Sequence, residues 1–274
     1  MTITLTDFVT IGREQRHAQR NPAARAFYTA LGPLSTHARI RVGSVLRAIE
    51  DLRLPDTATV LEAGSGRGYA ILNLARRHPG WTCVGVELDP AFVNDSRRIA
   101  AAEGLANVRF VAASLVDHAE PAAAYDLILS GDVLEHIVED EVVMASMYDW
   151  LKPGGRLVLH LPKRHQIARR WFPSFERYIV HDHVRDEYTE DEIRDKLGRA
   201  GFRIVSITPT FGPPGELAFE LNQLYWDKPL VRVPIALATL PIALPLAYLD
   251  FKLPKREGNC FLVEAYKPAP ERAR

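Results

Sequence analysis

The chain has 274 residues, 47% hydrophobic and 25% charged, which suits one large globular domain. Its 34 basic residues equal its 34 acidic residues, so the overall charge gives no reason to expect a nucleic-acid partner. Cys83 and Cys260 lie in apolar runs without zinc-ligand spacing, which predicts two buried thiols and no bound metal. Residues 1–20 carry early charges and no long apolar run, so we expect no secretory signal and a cytoplasmic protein.

The pattern along the chain changes from helical signals to short strands that alternate with helices. Over residues 1–54, the apolar positions after Pro33 recur at helical spacing. Further helices are predicted at residues 69–77, 90–104 and 189–201, the last with a capping box. β-Branched runs predict strands at residues 59–63, 82–87, 108–112, 126–130, 157–161, 203–208 and 261–265.

This alternation predicts a Rossmann-like α/β fold, in which a seven-stranded, mostly parallel sheet carries helices on both faces. The N-terminal helices and two insertions, at residues 162–187 and 210–259, are expected to form a cap over the sheet. We therefore divide the chain into an N-terminal helical segment (1–54), a cofactor-binding core (55–209), an apolar insertion (210–259) and the last core strand with the tail (260–274).

A glycine loop directly follows the first predicted strand. Gly64, Ser65, Gly66 and Gly68 lead into a helix, which lets a ligand approach the backbone and the free N–H groups there. A dinucleotide site is the competing interpretation, but that site uses G-x-G-x-x-G, whereas the spacing here is G-x-G-x-G. Glu62 would also repel a pyrophosphate. A ligand with an ammonium group and no phosphate, such as S-adenosylmethionine, suits this loop better.

Glu87 ends the second predicted strand, about twenty residues past the glycine loop. A carboxylate at this place can accept hydrogen bonds from both hydroxyl groups of a ribose. Dinucleotide sites use the same device, so Glu87 is informative only together with Glu62 and the glycine spacing. The three features together favour S-adenosylmethionine.

On these motifs, the chain resembles the class I S-adenosylmethionine-dependent methyltransferases. It is most similar to the broad bacterial group that includes the ubiquinone-pathway O-methyltransferases. The resemblance covers residues 52–207, with 260–267 as the last strand. The matching segments are VLEAGSGRG (60–68), VGVELDP (84–90), NVRFVAASL (107–115), YDLILSGDVLEHI (125–137), LKPGGRLVLHLP (151–162) and AGFRIVSI (200–207).

The resemblance implies S-adenosylmethionine as cofactor and a role for each residue around it. The glycine loop would line the methionine half, with Glu62 holding the loop, and Glu87 would bind the ribose. The residues after the second and third strands would surround the adenine, and those at the end of the fourth would face the methyl donor. In chain order, the implied cofactor-binding residues are Glu62, Gly64, Ser65, Gly66, Gly68, Glu87, Leu88, Ser114, Leu115, Ser130 and Gly131.

Methyl transfer is an in-line displacement, so the enzyme aligns donor and acceptor, excludes water, and supplies a base only where the acceptor must lose a proton. His136 is the candidate base, and the alternative is that it orders its loop. Asp132 is interpreted as a substrate-side, cofactor-side or structural residue. His183 and Arg185 are expected beside the substrate. His181 and His183 are not expected to form a metal site.

The two insertions indicate whether the acceptor is reached at a membrane surface. Residues 233–249 carry no charge, but Pro234, Pro241 and Pro245 interrupt the run and argue against a straight transmembrane helix. The run suits a membrane-interface segment, an apolar lid or a homodimer surface within 229–252. The first insertion is basic and aromatic over residues 163–175, which suits lipid headgroups or an anionic acceptor.

These observations predict a methyltransferase that methylates oxygen or carbon of a small, apolar or amphiphilic, lipid-like acceptor. The protein would be cytoplasmic and peripheral at the inner face of the membrane. Two other classes stay open: a non-catalytic module that keeps the cofactor, and a related group transferase such as an aminopropyltransferase. The sequence shows no acidic polyamine pocket, and no nucleic-acid partner is expected.

Overall fold

The computed structural model describes residues 3–163, 184, 187–226 and 232–270. The chain opens with helices, namely α1 (Leu5–Thr10), a 3-10 helix (Arg13–Ala18), α2 (Pro22–Leu31) and α3 (Thr36–Asp51). Thr4, Asn21 and Ser35 cap the three α-helices because their side-chain oxygens accept N–H groups of the first turn. Most residues of α3 are buried, and this helix packs directly over the central sheet.

Seven strands of the described chain form one sheet, with the order β3-β2-β1-β4-β5-β7-β6. Strand β7 is antiparallel to both of its neighbours, whereas the other pairs are parallel. The strands are β1 (Thr59–Ala63), β2 (Thr82–Glu87), β3 (Val108–Ala112), β4 (Tyr125–Gly131), β5 (Leu151–Pro162), β6 (Arg203–Thr210) and β7 (Cys260–Tyr266). The predicted seven-stranded, mostly parallel sheet is confirmed.

Helices cover both faces of this sheet, as predicted. One apolar cluster joins α3, α4 (Tyr69–Arg77) and α5 (Pro90–Ala102) to one face. A second cluster joins α6 (Asp140–Trp150) and α7 (Glu190–Arg199) to the other face. The predicted capping box opens α7: Glu192 N–H donates to Thr189 Oγ1 at 3.2 Å, and Thr189 N–H donates to Glu192 Oε2 at 2.7 Å. Both cysteines are free and buried, as predicted.

Strand β5 begins at Leu151, earlier than the predicted start at residue 157. The sequence LKPGG had the pattern of a turn, but backbone pairing already starts there. Leu151 pairs with Tyr125 of β4, and Gly154 N–H donates to the carbonyl of Lys267 at 2.8 Å. The pairing then skips from Tyr125–Leu151 to Leu127–Arg156, and Gly154 has a positive φ of 82°, so the predicted turn is retained as an irregularity within β5.

Helices α8 (Pro213–Trp226) and α9 (Arg232–Lys252) pack against each other and against α3. The expectation that three prolines break the apolar run is wrong, because α9 is continuous. Pro234 lies in the first turn, where a missing N–H removes no helical hydrogen bond, and Pro241 and Pro245 each remove one bond further along. Among the described helices, α9 is the one long and apolar enough to cross a membrane, and 33% of its apolar window is buried in the protein.

Candidate active site

A cavity of about 540 Å³ opens at the carboxyl ends of β1, β2 and β4, the edge at which parallel α/β sheets bind ligands. Helix α3 contributes Arg41, Val42 and Val45 to its wall. Most residues predicted for the site line this one cavity, namely Glu62, Gly64, Ser65, Gly66, Glu87, Leu88, Ser114, Leu115, Gly131, Asp132 and His136. The structure thus brings together residues that are far apart in the sequence.

The glycine loop turns tightly between β1 and α4. Gly64, Gly66 and Gly68 all have positive φ angles, of 76°, 51° and 72°, which a side chain would strain. A Cβ atom at Gly64 would come within 2.4 Å of Val133, so that glycine permits a close approach inside the protein. A Cβ at Gly66 would have nothing within 4 Å, because Gly66 borders the open cavity. The loop therefore leaves room for a ligand at Gly66.

Glu62 lies at the end of β1 and is buried, with its side chain at the base of the loop. Its Oε2 accepts the N–H of Ile71 at 3.0 Å and so ties the strand to the first turn of α4. Burial raises the pKa of Glu62 to about 8, although the Ile71 N–H and the charge of Arg41 act in the opposite direction. A cation that entered the cavity would favour the ionised form of this carboxyl group.

Glu87 links the second strand to the loop. Its Oε2 accepts the N–H of Gly66 at 2.7 Å, and its Oε1 accepts the N–H of Asp89 at 2.9 Å. Each oxygen keeps a further lone pair for a ligand hydroxyl group. The hydroxyl oxygen of Ser65 is buried at the cavity without a hydrogen-bond partner among the described residues. Such orphaned polar atoms usually mark a missing ligand or water, so the residues present fit a bound polar ligand.

Two residues predicted to contact the cofactor do not line the cavity. Gly68 is the residue before α4, and a Cβ there would meet Leu72 and Ser96 rather than open space. Ser130 is buried between strands, and its hydroxyl donates to the carbonyl of Ala63 at 2.7 Å. Their described contacts are structural, because Gly68 turns the chain into the helix and Ser130 joins β4 to β1.

Asp132 forms the centre of a charged network at the end of β4. Its Oδ2 accepts from Arg41 Nη1 at 2.9 Å, and its Oδ1 lies 2.7 Å from His160 Nδ1 on β5. His160 is fully buried, and its Nε2 lies 3.0 Å from the hydroxyl of Thr210. The backbone of Asp132 is left-handed, with φ 54°, a conformation that aspartate tolerates better than most residues. The network therefore fixes both the position and the orientation of this carboxylate.

Burial alone would raise the pKa of Asp132, but the charges of His160 and Arg41 outweigh it and hold the pKa well below the usual range. Asp132 is therefore an anion at neutral pH. His37 lies on the outer side of this network, with its Nε2 at 3.6 Å from Asp132 Oδ2 and its ring against Phe211 and Phe219. Burial lowers the pKa of His37 to about 4, despite the opposing charge of Asp132, so its ring is neutral at pH 7.

Arg41 and His160 were not identified from the sequence. Arg41 stands in an ordinary helical pattern, where an arginine gives no functional signal. His160 could have been noticed, because a titratable residue within the otherwise apolar strand segment LVLHLP can indicate a functional role. Only the packing of α3 across β4 and β5 brings both residues to Asp132.

His136 lines the cavity and its side chain is 37% exposed, so a ligand can reach it. Its Nε2 lies 4.0 Å from Oε1 of Glu135, which is buried. Burial, followed by the charge of Asp132, raises the pKa of Glu135 well above its usual value, so this neighbour tends to stay neutral. The predicted substrate residues His183 and Arg185, and the segment 164–183, lie outside the described residues.

Comparison with known proteins assigns the family. The model of the family described as "Methyltransferase domain" matches residues 37–207, which is more than half of the chain. The chain therefore belongs to this methyltransferase family. Its cofactor is S-adenosylmethionine.

Among curated proteins, the chain is 33% identical over 100 residues to the demethylmenaquinone methyltransferase of Thermus thermophilus, covering 36% of this chain and 45% of that protein. It is 31% identical over 123 residues to a trans-aconitate 2-methyltransferase of Azoarcus, covering 43% and 46%. It is 24% identical over 192 residues to the ubiquinone biosynthesis O-methyltransferase of Acinetobacter baylyi, covering 66% and 76%. The first two matches span less than half of the length of those relatives.

Solved structures share the fold at low sequence identity. The phosphoethanolamine N-methyltransferase 2 of Haemonchus contortus, solved in complex with S-adenosyl-L-methionine, superposes with a TM-score of 0.63 at 17% identity and covers 97% of this chain and 57% of its own. A putative sarcosine dimethylglycine methyltransferase from Galdieria sulphuraria gives a TM-score of 0.60 at 17% identity, covering 84% and 87%.

Proposed function

We propose that this chain transfers a methyl group from S-adenosylmethionine to oxygen or carbon of a small, apolar or amphiphilic acceptor. The observation that carries the proposal is the lining of the cavity, which includes both the glycine loop with Glu87 and a polar group formed by Arg41, Asp132 and His136 beside Gly131. One compartment thus has room for a cofactor beside the loop and for an acceptor beside this polar group.

The cofactor supplies a methyl group on a positively charged sulfur. Glu87 would accept hydrogen bonds from the ribose hydroxyl groups, and the orphaned hydroxyl of Ser65 would gain a partner. Glu62 and the loop backbone would hold the methionine half, where a buried carboxyl group favours an ammonium ion. Leu88 is 70% exposed and would be covered by the adenine ring.

The acceptor end combines apolar walls with a few polar groups. Val42 and Val45 of α3, together with Val133 and Ile137, provide apolar surface. Asp132 is held as an anion by Arg41 and His160, so it would accept a hydrogen bond from an acceptor hydroxyl group and orient it. His136 would take the proton if that hydroxyl group is one that must be ionised before attack.

The relatives support a small acceptor but differ in its polarity. The proteins named for demethylmenaquinone and for ubiquinone biosynthesis favour an amphiphilic ring, whereas the trans-aconitate methyltransferase is named for a polar acid. The apolar wall of α3 and Ile137 supports the first alternative.

Turnover with an acceptor panel tests this function. The purified chain, methyl-labelled S-adenosylmethionine and a panel of quinols, phenolic lipids and polycarboxylates would be analysed by mass spectrometry. We expect labelled quinol or phenolic-lipid product with stoichiometric S-adenosylhomocysteine. Glu87→Ala should abolish turnover, whereas Glu257→Ala, which changes an exposed glutamate outside the cavity, should not.

Each other outcome points to a different class of protein. A labelled polycarboxylate would contradict the proposed acceptor class. Binding of the cofactor without product from any acceptor or from cell extract would favour a non-catalytic module. With decarboxylated S-adenosylmethionine as the donor, transfer of an aminopropyl group with release of methylthioadenosine would contradict methyl transfer itself.

A further inference from the structure

One face of α9 is exposed and entirely apolar, which is unusual for a surface helix. Leu237, Ile242 and Leu249 are 48%, 59% and 46% exposed. The residues of this outer face recur at helical spacing over four turns: Pro234, Leu237, Ala238, Pro241, Ile242, Pro245 and Leu249. A surface helix normally carries charged or polar side chains on the face opposite the core, but none is present on this face over residues 234–249, and Lys252 follows it at the end of the helix.

The opposite face of α9 is held in the protein core. Ala243, Ala247 and Phe251 are fully buried, and the Phe251 ring stacks on Phe8 with centroids 5.3 Å apart. Arg47 of α3 donates to the carbonyl of Phe251 at 2.9 Å. If α9 crossed a bilayer, it would lose these contacts with the protein core. The geometry therefore favours a helix that lies along a surface over one that spans a membrane.

The prolines support the same orientation. Pro241 and Pro245 carry no N–H, so the carbonyls of Leu237 and Pro241 have no helical donor four residues on. In the hydrocarbon region such carbonyls would be unsatisfied, whereas water and headgroups at the membrane boundary can donate to them. A partly hydrated interface thus suits the outer face better than a dry one.

A second copy of the chain is a poor match for this face. The outer face spans 234–249, so at 1.5 Å per residue and a helix width of about 10 Å it projects over about 240 Å². Specific dimers bury about 800 Å² of accessible surface on each partner, so a dimer through α9 would also need surface beyond this narrow strip. Binding to a membrane needs no such minimum contact area, because even a narrow helix can insert its apolar side chains into the interface.

We propose that α9 docks the protein on a membrane surface, with the outer face lying at the boundary between headgroups and acyl chains. Arg256 is exposed beyond the C-terminal end of the stripe, where it would meet anionic headgroups, and Glu257 beside it offsets one charge. Lys252 is exposed there too, with its Nζ donating to the carbonyl of Ile3 at 3.1 Å. Helix α3 lies between α9 and the cavity, so docking would bring the acceptor end close to the membrane. The proposal does not depend on which acceptor is methylated.

Flotation of the full chain with vesicles tests the docking. The vesicles contain phosphatidylcholine and phosphatidylglycerol in equal parts. The test variant is Leu237→Asp with Ile242→Asp, both on the outer face, since Leu240 is buried and an aspartate there would disturb folding. The matched control is Val142→Asp with Val205→Asp, which adds the same charge at exposed valines on α6 and β6.

We expect the wild type and the control to float, and the floating fraction of the outer-face variant to fall at least about tenfold. All three proteins should give the same circular dichroism spectrum and the same melting temperature within a few degrees. The proposal is overturned if the wild type stays in the bottom fraction, or if the outer-face variant floats as well as the wild type. A wild type that fails to float and forms a dimer broken by Ile242→Asp would show an interface between copies instead.

Discussion

Gly64 and Gly66 are two residues apart and both have left-handed backbones. Substitution of Gly64 should mainly lower stability, whereas substitution of Gly66 should mainly weaken cofactor binding. Gly64→Ala places a methyl group against Val133, so strain and overpacking should lower the free energy of unfolding by about 3 kcal/mol. Gly66→Ala has space for its methyl group and should cost only about 1 kcal/mol, but the methyl would occupy the cofactor's volume. Urea unfolding and calorimetry with S-adenosylhomocysteine measure the two effects separately.

For Gly66→Ala we expect affinity for S-adenosylhomocysteine to fall at least about tenfold while the protein remains folded. An unchanged affinity would mean that the cofactor does not approach the loop at Gly66.

The raised pKa of Glu62 makes cofactor binding pH-dependent. With a pKa of about 8, the carboxyl group is largely protonated in the ligand-free protein at neutral pH. The ammonium group of the cofactor lowers this pKa, so binding should release up to about one proton. Calorimetry at neutral pH in two buffers of different ionisation enthalpy measures this release. Glu62→Gln serves as the control, because it keeps an acceptor for the Ile71 N–H but has no proton to lose. Equal buffer dependence in both proteins would contradict the assignment.

At the scale of elements, Asp132 joins α3 through Arg41 and β5 through His160. Asp132→Asn removes a buried charge and leaves Arg41 without its partner, so it should cost about 3 kcal/mol of stability at neutral pH. Because the pKa of Asp132 is depressed in the folded state, its contribution is fully present above the unfolded value of 3.8 and is lost as the pH falls through the lower folded value.

The stability difference between wild type and Asp132→Asn should therefore stay constant above about pH 5 and shrink below about pH 4. Urea unfolding across this range tests it. A difference that grows on acidification would show that Asp132 is not ionised in the folded protein.

The elements that the sequence predicted best are those with local signals. Strands β1, β2 and β3 have the predicted bounds, and the apolar runs of β1 and β2 end at Gly64 and Glu87. The glycine loop and Glu87 are found from the glycine spacing together with the two carboxylates, Glu62 and Glu87. The continuity of α9 could not be predicted, because packing on α3 and α8 compensates for the two lost hydrogen bonds at its prolines.

The same limit applies to the charged network around Asp132. Arg41, Asp132 and His160 come from α3, β4 and β5 and share no motif, so only the tertiary arrangement brings them together. The sequence identified Asp132 and His136 because they lie within a motif of the family at the end of β4. Ser130 and Gly68 have the motif positions but do not line the cavity, so their contact with the cofactor stays a prediction.

At the scale of the whole molecule, the sheet, α3 and the pair α8 and α9 form successive layers. The sheet presents the loop and Glu87, α3 closes the cavity, and α9 lies outermost with its apolar outer face. Asn222 of α8 secures this arrangement, because its Oδ1 accepts the N–H of Thr36 at 2.7 Å at the start of α3. Asn222 thus ties α8 to the first turn of α3.

We expect S-adenosylmethionine to bind in the cavity beside the glycine loop. Isothermal titration calorimetry of the purified chain with S-adenosylhomocysteine tests it most directly. We predict one molecule bound per chain, competition by S-adenosylmethionine, no heat with NAD, and at least about tenfold weaker binding in Glu87→Ala. Saturable binding of NAD with no response to S-adenosylhomocysteine would contradict the account.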